Sequence, residues 1–446
     1  MESIKMKSVF SILLLIGSVA CTKPSVAQSV YSESADEINA LLDDTYLSQN
    51  FHGSVLVADG PDILLEKAFG FQGEDQQENQ TDTRYDMASM GKMFAAVSIL
   101  QLVEQGQISL QQTIGDILPD YPNKPAHAIT VQQLLSHTSG LGDFFGPAFD
   151  QQRESIKTLG DFLPFFVEDP LEFSPGERMR YSNAGYIVLG LMIEEISGMD
   201  YNSYVAQNVF QPAGMTSTGP LMSSAGGGTS TVRDFHKFAL ALQNHELINE
   251  ESFSLMTTDH FGNDYGYGMT LRELNGKTVY GHSGGAPGIS GELDMVMGES
   301  LVVVSLSNRS AMEGWVQVRT RIRKELFGNT PEIEEFLNTE RVVKAYKEQG
   351  FQEASTLLAE LGNNISDKNT FYFAEQYAMQ GRSKEAVDIL KLIVQAYPDQ
   401  WYPYHFLADF QVQAGQTEEA IENYKKSLEI NPDNEEAIAR LKELES

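Results

Sequence analysis

The chain has 446 residues, 41% apolar and 21% charged, with 37 glycines and 16 prolines. That is long enough for two domains with a large core, and it excludes disordered and fibrous architectures. With 31 Lys and Arg against 62 Asp and Glu the formal net charge is −31, a surface that repels phosphate backbones and anionic lipid and so argues against nucleic acid and membrane surfaces as partners.

Residues 1–27 read as an export signal: Lys5 and Lys7 precede an apolar run over 9–20 that is too short to span a bilayer. Two processing sites compete. Ser25-Val26-Ala27 suits a signal peptidase cutting before Gln28, whereas Ser18-Val19-Ala20-Cys21 resembles a lipobox that would leave Cys21 lipidated. Ser18 stands where such boxes usually carry Leu, which inclines the reading to plain secretion. Cys21 is the only cysteine, so the mature body can hold no disulfide, Cys-based zinc site or thiol nucleophile. No other apolar run approaches the length of a membrane span, and none is expected in the mature chain.

The body opens with a predicted helix over 34–49, then strands over 51–58 and 63–70 about the turn Asp59-Gly60-Pro61-Asp62. After a polar stretch over 72–84, Phe94, Val97, Leu100 and Val103 at near-helical spacing predict a helix over 89–105. Helical pieces and Gly-rich bends follow to about residue 256. Strand character returns at 277–280, and 290–297 with 301–307 form a hairpin about Gly298-Glu299-Ser300. Strands at both ends with helices between predict an α+β domain with an antiparallel sheet over 28–330. Asn329-Thr330-Pro331 mark its end.

Residues 331–446 differ in kind. Gly381, Ala386 and Pro398 recur as Gly415, Ala420 and Pro432, each 34 residues later, and Phe373-Ala374 recurs as Leu407-Ala408. This all-α region resembles tetratricopeptide repeats, with Ala374 and Ala386 where paired helices must approach closely. Two units are clear, and 339–361 looks like a degenerate third.

Ser89-Met90-Gly91-Lys92 opens the second predicted helix, so one turn brings the Lys92 amine toward the Ser89 hydroxyl. Alone, S-x-x-K is a weak signal. Tyr181-Ser182-Asn183 follows, and later Gly281-His282-Ser283-Gly284-Gly285 at the start of an apparent edge strand. S-x-x-K, Y-x-N and H-x-G in this order resemble the active-site motifs of the serine β-lactamase and penicillin-binding protein superfamily. The nearest branch is the class C-like one, with its class C β-lactamases, D-Ala-D-Ala carboxypeptidases, D-aminopeptidases and family VIII esterases. Leu134-Leu135-Ser136-His137-Thr138-Ser139-Gly140-Leu141, Ala225-Gly226-Gly227-Gly228-Thr229-Ser230-Thr231 and Tyr265-Gly266-Tyr267-Gly268 also resemble stretches of that branch.

The resemblance covers about 35–328 and implies a β-lactamase/DD-peptidase-like fold, a sheet flanked by helices plus an all-helical domain. It also implies roles. Ser89 is the nucleophile. Lys92, partly desolvated, either takes the Ser89 proton or holds Tyr181 as a phenolate base. Asn183 bonds Lys92 and the substrate. The backbone N–H groups of Ser89 and Gly285 form the oxyanion hole, beside Ser283 and Gly284. His282 stands where β-lactamases carry the Lys of K-T-G, and as a weaker anion anchor it serves as substrate contact or proton relay. His137 is expected to organise the loop beside the site. No metal-ligand spacing or nucleotide motif appears, and no cofactor is expected.

The function expected is an exported serine hydrolase cleaving an ester or amide through acyl-Ser89, as an esterase, D-amino-acid peptidase or DD-carboxypeptidase. Its substrate would be a small ester, a peptide or a peptidoglycan-like molecule. One alternative is a β-lactamase. Another, of a different class, is a non-catalytic binding or scaffold protein whose repeats recruit a protein partner.

Overall fold

The computed structural model describes residues 29–43, 51–73 and 77–445; the predicted export signal and Cys21 lie outside them. In chain order the α+β domain runs α1 (Ser32–Leu42), β1 (Gly53–Asp59), β2 (Asp62–Phe69), α2 (Lys92–Glu104), α3 (Asn183–Ser197), α4 (Val232–Gln243), β3 (Thr270–Leu274), β4 (Lys277–Ala286), β5 (Ile289–Val296), β6 (Leu301–Ser307) and α5 (Val316–Phe327), besides shorter turns and two-residue strands. The first helix is described as far as Leu42; residues 44–50, over which the sequence predicts it to continue, lie outside those described.

The six strands form one antiparallel sheet in the order β2-β1-β6-β5-β4-β3. Strands from the two ends of the domain therefore lie side by side, β1 on β6 from Gly53↔Ser307 to Asp59↔Leu301. Side chains alternate across a strand, and here both faces are covered. Leu56, Ala58, Val302, Val304 and Leu306 join the core under the helical lobe, with Phe94 of α2 and Phe235 and Phe238 of α4. Val55, Val57, Leu301 and Val303 face the other way, onto Ile38 of α1 and Val318 and Ile322 of α5.

That second face also carries charge. Glu292 and Asp294 of β5 are buried and meet three guanidinium groups. Arg323 binds Asp294 through two bonds of 2.9 Å and approaches Glu292 at 2.9 Å. Arg272 lies 3.1 Å and Arg319 3.6 Å from Glu292. Helix α5 is thus fastened to the sheet by ion pairs as well as by apolar contact.

The C-terminal region is all helical: α6 (Pro331–Gln349), α7 (Phe351–Glu360), α8 (Asp367–Met379), α9 (Ser383–Ala396), α10 (Trp401–Gln413), α11 (Thr417–Ile430) and α12 (Glu435–Leu444). Thr330 caps α6, its Oγ1 accepting the Ile333 N–H at 3.3 Å, with Pro331 in the first turn. Gly381 and Gly415 turn successive helix pairs at φ +75° and +74°, left-handed values that glycine adopts without strain. Ala374, Ala386, Ala408 and Ala420 are fully buried between paired helices, as the 34-residue spacing predicts. The degenerate unit is the α6–α7 pair.

Helix α6 belongs to both halves. Its Phe336 packs with α1 and α5, whereas Val342 and Val343 pack within the repeats, and Glu340 pairs with Arg321 of α5 at 2.7 Å. Among the described residues no helix is long and apolar enough to cross a membrane.

Candidate active site

Ser89 does not cap an α-helix. It lies inside a 3-10 turn, Ala88–Gly91, that precedes α2. Side chains three apart eclipse in such a turn, which brings Ser89 and Lys92 together. The turn is held under constraint: Ala88 sits at φ +40°, a strained value for a residue with a Cβ. The loop over 225–228 clamps it, with the Gly227 N–H donating to the Ala88 carbonyl at 2.9 Å and the Met87 N–H to the Gly228 carbonyl at 3.0 Å. Glycine is required there, because a Cβ on Gly226 would stand 2.1 Å from the Ala88 oxygen.

Lys92 is fully buried. Its Nζ lies 3.2 Å from Ser89 Oγ, 2.7 Å from Asn183 Oδ1 and 2.7 Å from the Ala225 carbonyl. Asn183 is oriented by Asp143, whose Oδ2 accepts from its Nδ2 at 2.7 Å; Asp143 in turn accepts the Phe144 N–H at 2.7 Å. Burial pushes the Lys92 amine down to about 7, against the opposing pull of the Asp143 carboxylate.

Tyr181 enters just before α3, which Ser182 caps by accepting the Gly185 N–H at 3.0 Å. Its hydroxyl end lies beside the Ser89 side chain. The residue as a whole is 37% exposed, yet protein atoms crowd the hydroxyl end and push the phenol up, the nearby Ser89 side chain only partly offsetting this. Lys92 meets the face of the ring, its Nζ 4.8 Å from the centroid. This geometry does not favour the phenolate form that the sequence left open.

The H-x-G stretch lies wholly within β4, which is not an outer strand. However, β3 pairs with it only as far as Thr270↔Gly281, so from His282 onward β4 has an open edge. His282 occupies a different place from the one its motif suggests. It is buried, its Nε2 lies 2.9 Å from the Tyr265 hydroxyl, and its Nδ1 lies 2.6 Å from the Ser283 carbonyl. Both nitrogens are taken within the protein. Burial first, then the Lys92 charge, push the ring down to about 3. Gly284 faces the nucleophile turn, where a Cβ would lie 2.2 Å from the Met87 carbonyl. Alternation along the strand turns Ser283, half-buried, to the opposite face from His282. Gly285 is exposed.

Sequence reasoning missed Asp143, the Ala225 carbonyl and the Tyr265–His282 bond. Ala225 and Tyr265 stood in stretches that resembled the family but had no role assigned; Asp143 lies in an aperiodic loop.

Residues 40–326 match the family model described as Beta-lactamase, and 409–441 match one described as TPR repeat. Penicillin-binding protein 4* of Bacillus subtilis (strain 168) is 28% identical over 338 residues, 64% of this chain and 74% of that protein. Protein flp of Staphylococcus aureus (strain NCTC 8325 / PS 47) is 28% identical over 196 residues, 42% of this chain and 38% of that protein. Among solved structures, a penicillin binding protein from Bacillus halodurans is 31% identical with a TM-score of 0.56, covering 64% of this chain and 98% of its own. A D-amino acid amidase from Ochrobactrum anthropi SV3, 21% identical with a TM-score of 0.56 over 66% of this chain and 98% of its own, shows the shared fold.

Proposed function

The chain belongs to the β-lactamase family, and from that premise we propose that it cleaves an ester or amide bond through an acyl-enzyme on Ser89, with Lys92 as the base. One observation carries this reading. Of the three partners of Lys92 Nζ, two, Asn183 Oδ1 and the Ala225 carbonyl, can only accept hydrogen bonds. They take the two N–H groups of a neutral amine and leave its lone pair directed at the Ser89 hydroxyl, 3.2 Å away.

Neutral Lys92 removes the Ser89 proton as Oγ bonds to the carbonyl carbon, and the C=O electron pair moves onto oxygen. The backbone N–H groups of Ser89 and Gly285 receive that oxyanion. Collapse breaks the bond to the alcohol or amine, which leaves with the proton that Lys92 took from Ser89. Water then repeats the sequence on the acyl-enzyme, releasing the acid and restoring Ser89.

The favoured substrate is uncharged near the scissile bond. His282, neutral and committed on both nitrogens, offers no cation to a substrate carboxylate. Phe145 and Met222, 57% and 41% exposed, adjoin Asp143 and the loop over 225–228. These features favour an apolar ester or amide over a free C-terminal carboxylate or a β-lactam acid. The reading includes export, which rests on the sequence of residues 1–27 alone, and a partner-binding role for the repeats beside catalysis.

The test is labelling by a fluorophosphonate probe, wild type beside Ser89→Ala, with turnover of p-nitrophenyl acetate, a D-amino acid amide, a D-alanyl peptide and nitrocefin. Labelling at Ser89 and fastest turnover of ester or amide are expected. A folded protein left unlabelled overturns the mechanism; fastest turnover of nitrocefin or the free-acid peptide overturns the substrate order. Fractionation of cells carrying the full chain tests export.

A further inference from the structure

We propose that His137 is a positioning residue for the reaction on Ser89: its neutral ring holds Tyr181 and Asn183 in place relative to the nucleophile. The inference rests on the acyl-enzyme reading above and adds to it a residue that touches no reacting atom.

His137 grips the Tyr181 segment from both sides. Its carbonyl accepts the Arg180 N–H at 2.9 Å, and its Nδ1 accepts the Ser182 N–H at 3.1 Å. Between these two bonds its ring packs against the Tyr181 ring, centroids 4.2 Å apart. The residues on either side of Tyr181 are therefore tied to one histidine, and Asn183 follows directly.

Two features set this apart from an ordinary core histidine. The first is the backbone, at φ +59°, a left-handed value uncommon for residues with a Cβ, though histidine, asparagine and aspartate tolerate it better than most. The second is the far nitrogen. Because Nδ1 accepts a backbone N–H, the ring proton belongs on Nε2, and Nε2 is buried with no hydrogen-bond partner. The rings of Tyr181, Tyr186 and Tyr265 surround the imidazole within 5.0 Å. An unpaired buried donor is unfavourable, so what the site gains is the placement of the acceptor Nδ1.

The chemistry of the neighbours requires that ring to stay uncharged. A protonated imidazole could not accept the Ser182 N–H, and it would add a cation beside Lys92. Burial, then Lys92 and His282, hold it well below its ordinary value. The tyrosine cage is itself anchored, Tyr186 donating to the Leu135 carbonyl at 2.8 Å and Tyr265 bonded to His282. Lys92 Nζ lies over both the Tyr181 and Tyr186 rings, so a shift of His137 is transmitted to the catalytic amine through one layer of side chains.

The test compares His137→Leu, which keeps bulk but has no acceptor, with His137→Asn, whose Oδ1 can replace Nδ1 and which tolerates left-handed φ. For p-nitrophenyl acetate, His137→Leu is expected to lower kcat by about 10- to 100-fold, the scale of a small misplacement, with KM little changed. His137→Asn is expected to recover most of kcat. Equal kcat in the two variants, or loss of KM alone, overturns the proposal. A readout independent of folding variants is the nitrogen NMR of His137 in the wild-type protein: the Nε2–H tautomer is expected, and an Nδ1–H or protonated ring overturns it. Wild-type protein unlabelled by fluorophosphonate marks failure of the acyl-enzyme reading instead; labelled wild type with unimpaired His137→Leu marks failure of this one.

Discussion

The Lys92 amine and its surroundings fix the direction of a pH profile. Its ordinary value is 10.5 and burial brings it to about 7, so below about pH 7 the amine is protonated and cannot accept from Ser89. We expect kcat/KM to rise as pH increases through about 7 and then level, measured with an ester whose own hydrolysis is subtracted. An arginine at this position stays charged at every accessible pH. Lys92→Arg is therefore expected to lose about 10²- to 10⁴-fold in kcat, the usual worth of a positioned base, with no recovery at alkaline pH. At this scale the sequence foretold which side chains meet: Ser89, Lys92, Tyr181 and Asn183 come together as their motifs suggest. It did not foretell who holds them. The Ala225 contact is a backbone carbonyl, which leaves no trace in residue identity, and Asp143 acts through Asn183 rather than through any motif of its own. The Tyr265 hydroxyl that takes His282 Nε2 lies outside the H-x-G motif and comes close only once β3 and β4 have paired.

Between residues and the whole, strand β4 and the turn carrying Ser89 form a matched pair. Gly284 lets them touch. A methyl group there would meet the Met87 carbonyl at 2.2 Å and Ala88 Cβ at 3.2 Å, neither of which is a flexible side-chain end. Gly284→Ala is expected to cost about 1–3 kcal/mol, the range for overpacking, seen as a lowered melting temperature together with slower fluorophosphonate labelling. Gly285→Ala meets only the Ile289 oxygen, at an ordinary 3.8 Å, and should melt with the wild type. Equal destabilisation by the two substitutions would contradict this geometry. Four of the six strands were readable because apolar runs bounded by turn residues have few other solutions: the hairpin about 298–300 and the β1–β2 pair fall within a residue or two of expectation, whereas β3 was not expected and β4 runs past 280 to Ala286. The start of α2 was not readable, since apolar spacing reports the buried face of a helix and not whether its first turn is tightened.

On the scale of the molecule, the sequence break at 329–331 is a change of architecture without a gap in packing. Phe336 is almost completely buried against α1 and α5, and burying such a side chain contributes about 1.5–3 kcal/mol. A chain ending near Asn329 loses that contact and the Arg321–Glu340 pair. It is expected to melt lower than a chain ending near 361, which keeps both, in a scanning calorimeter. Coincident melting of the two truncations would mean that the repeats serve partners only. The repeat periodicity revealed the helix pairs, yet no periodicity could show that the first helix is shared.

The charged seam beneath the sheet also bears on how such a chain can change over generations. Removing the Arg323 guanidinium takes from Asp294 both of its short bonds and from Glu292 its 2.9 Å partner, leaving two carboxylates that are almost wholly out of water poorly paired. Single losses of this kind typically cost about 3–5 kcal/mol, whereas replacing a whole buried cluster by apolar residues can be neutral or better. Arg323→Met should thus unfold the protein far more readily than a variant in which Glu292, Asp294 and the three arginines are all made apolar. The stepwise route between those two states crosses a valley of poorly folded intermediates. A lineage that acquired this seam would tend to keep it even if greasier packing were just as stable, so its persistence would record history rather than need.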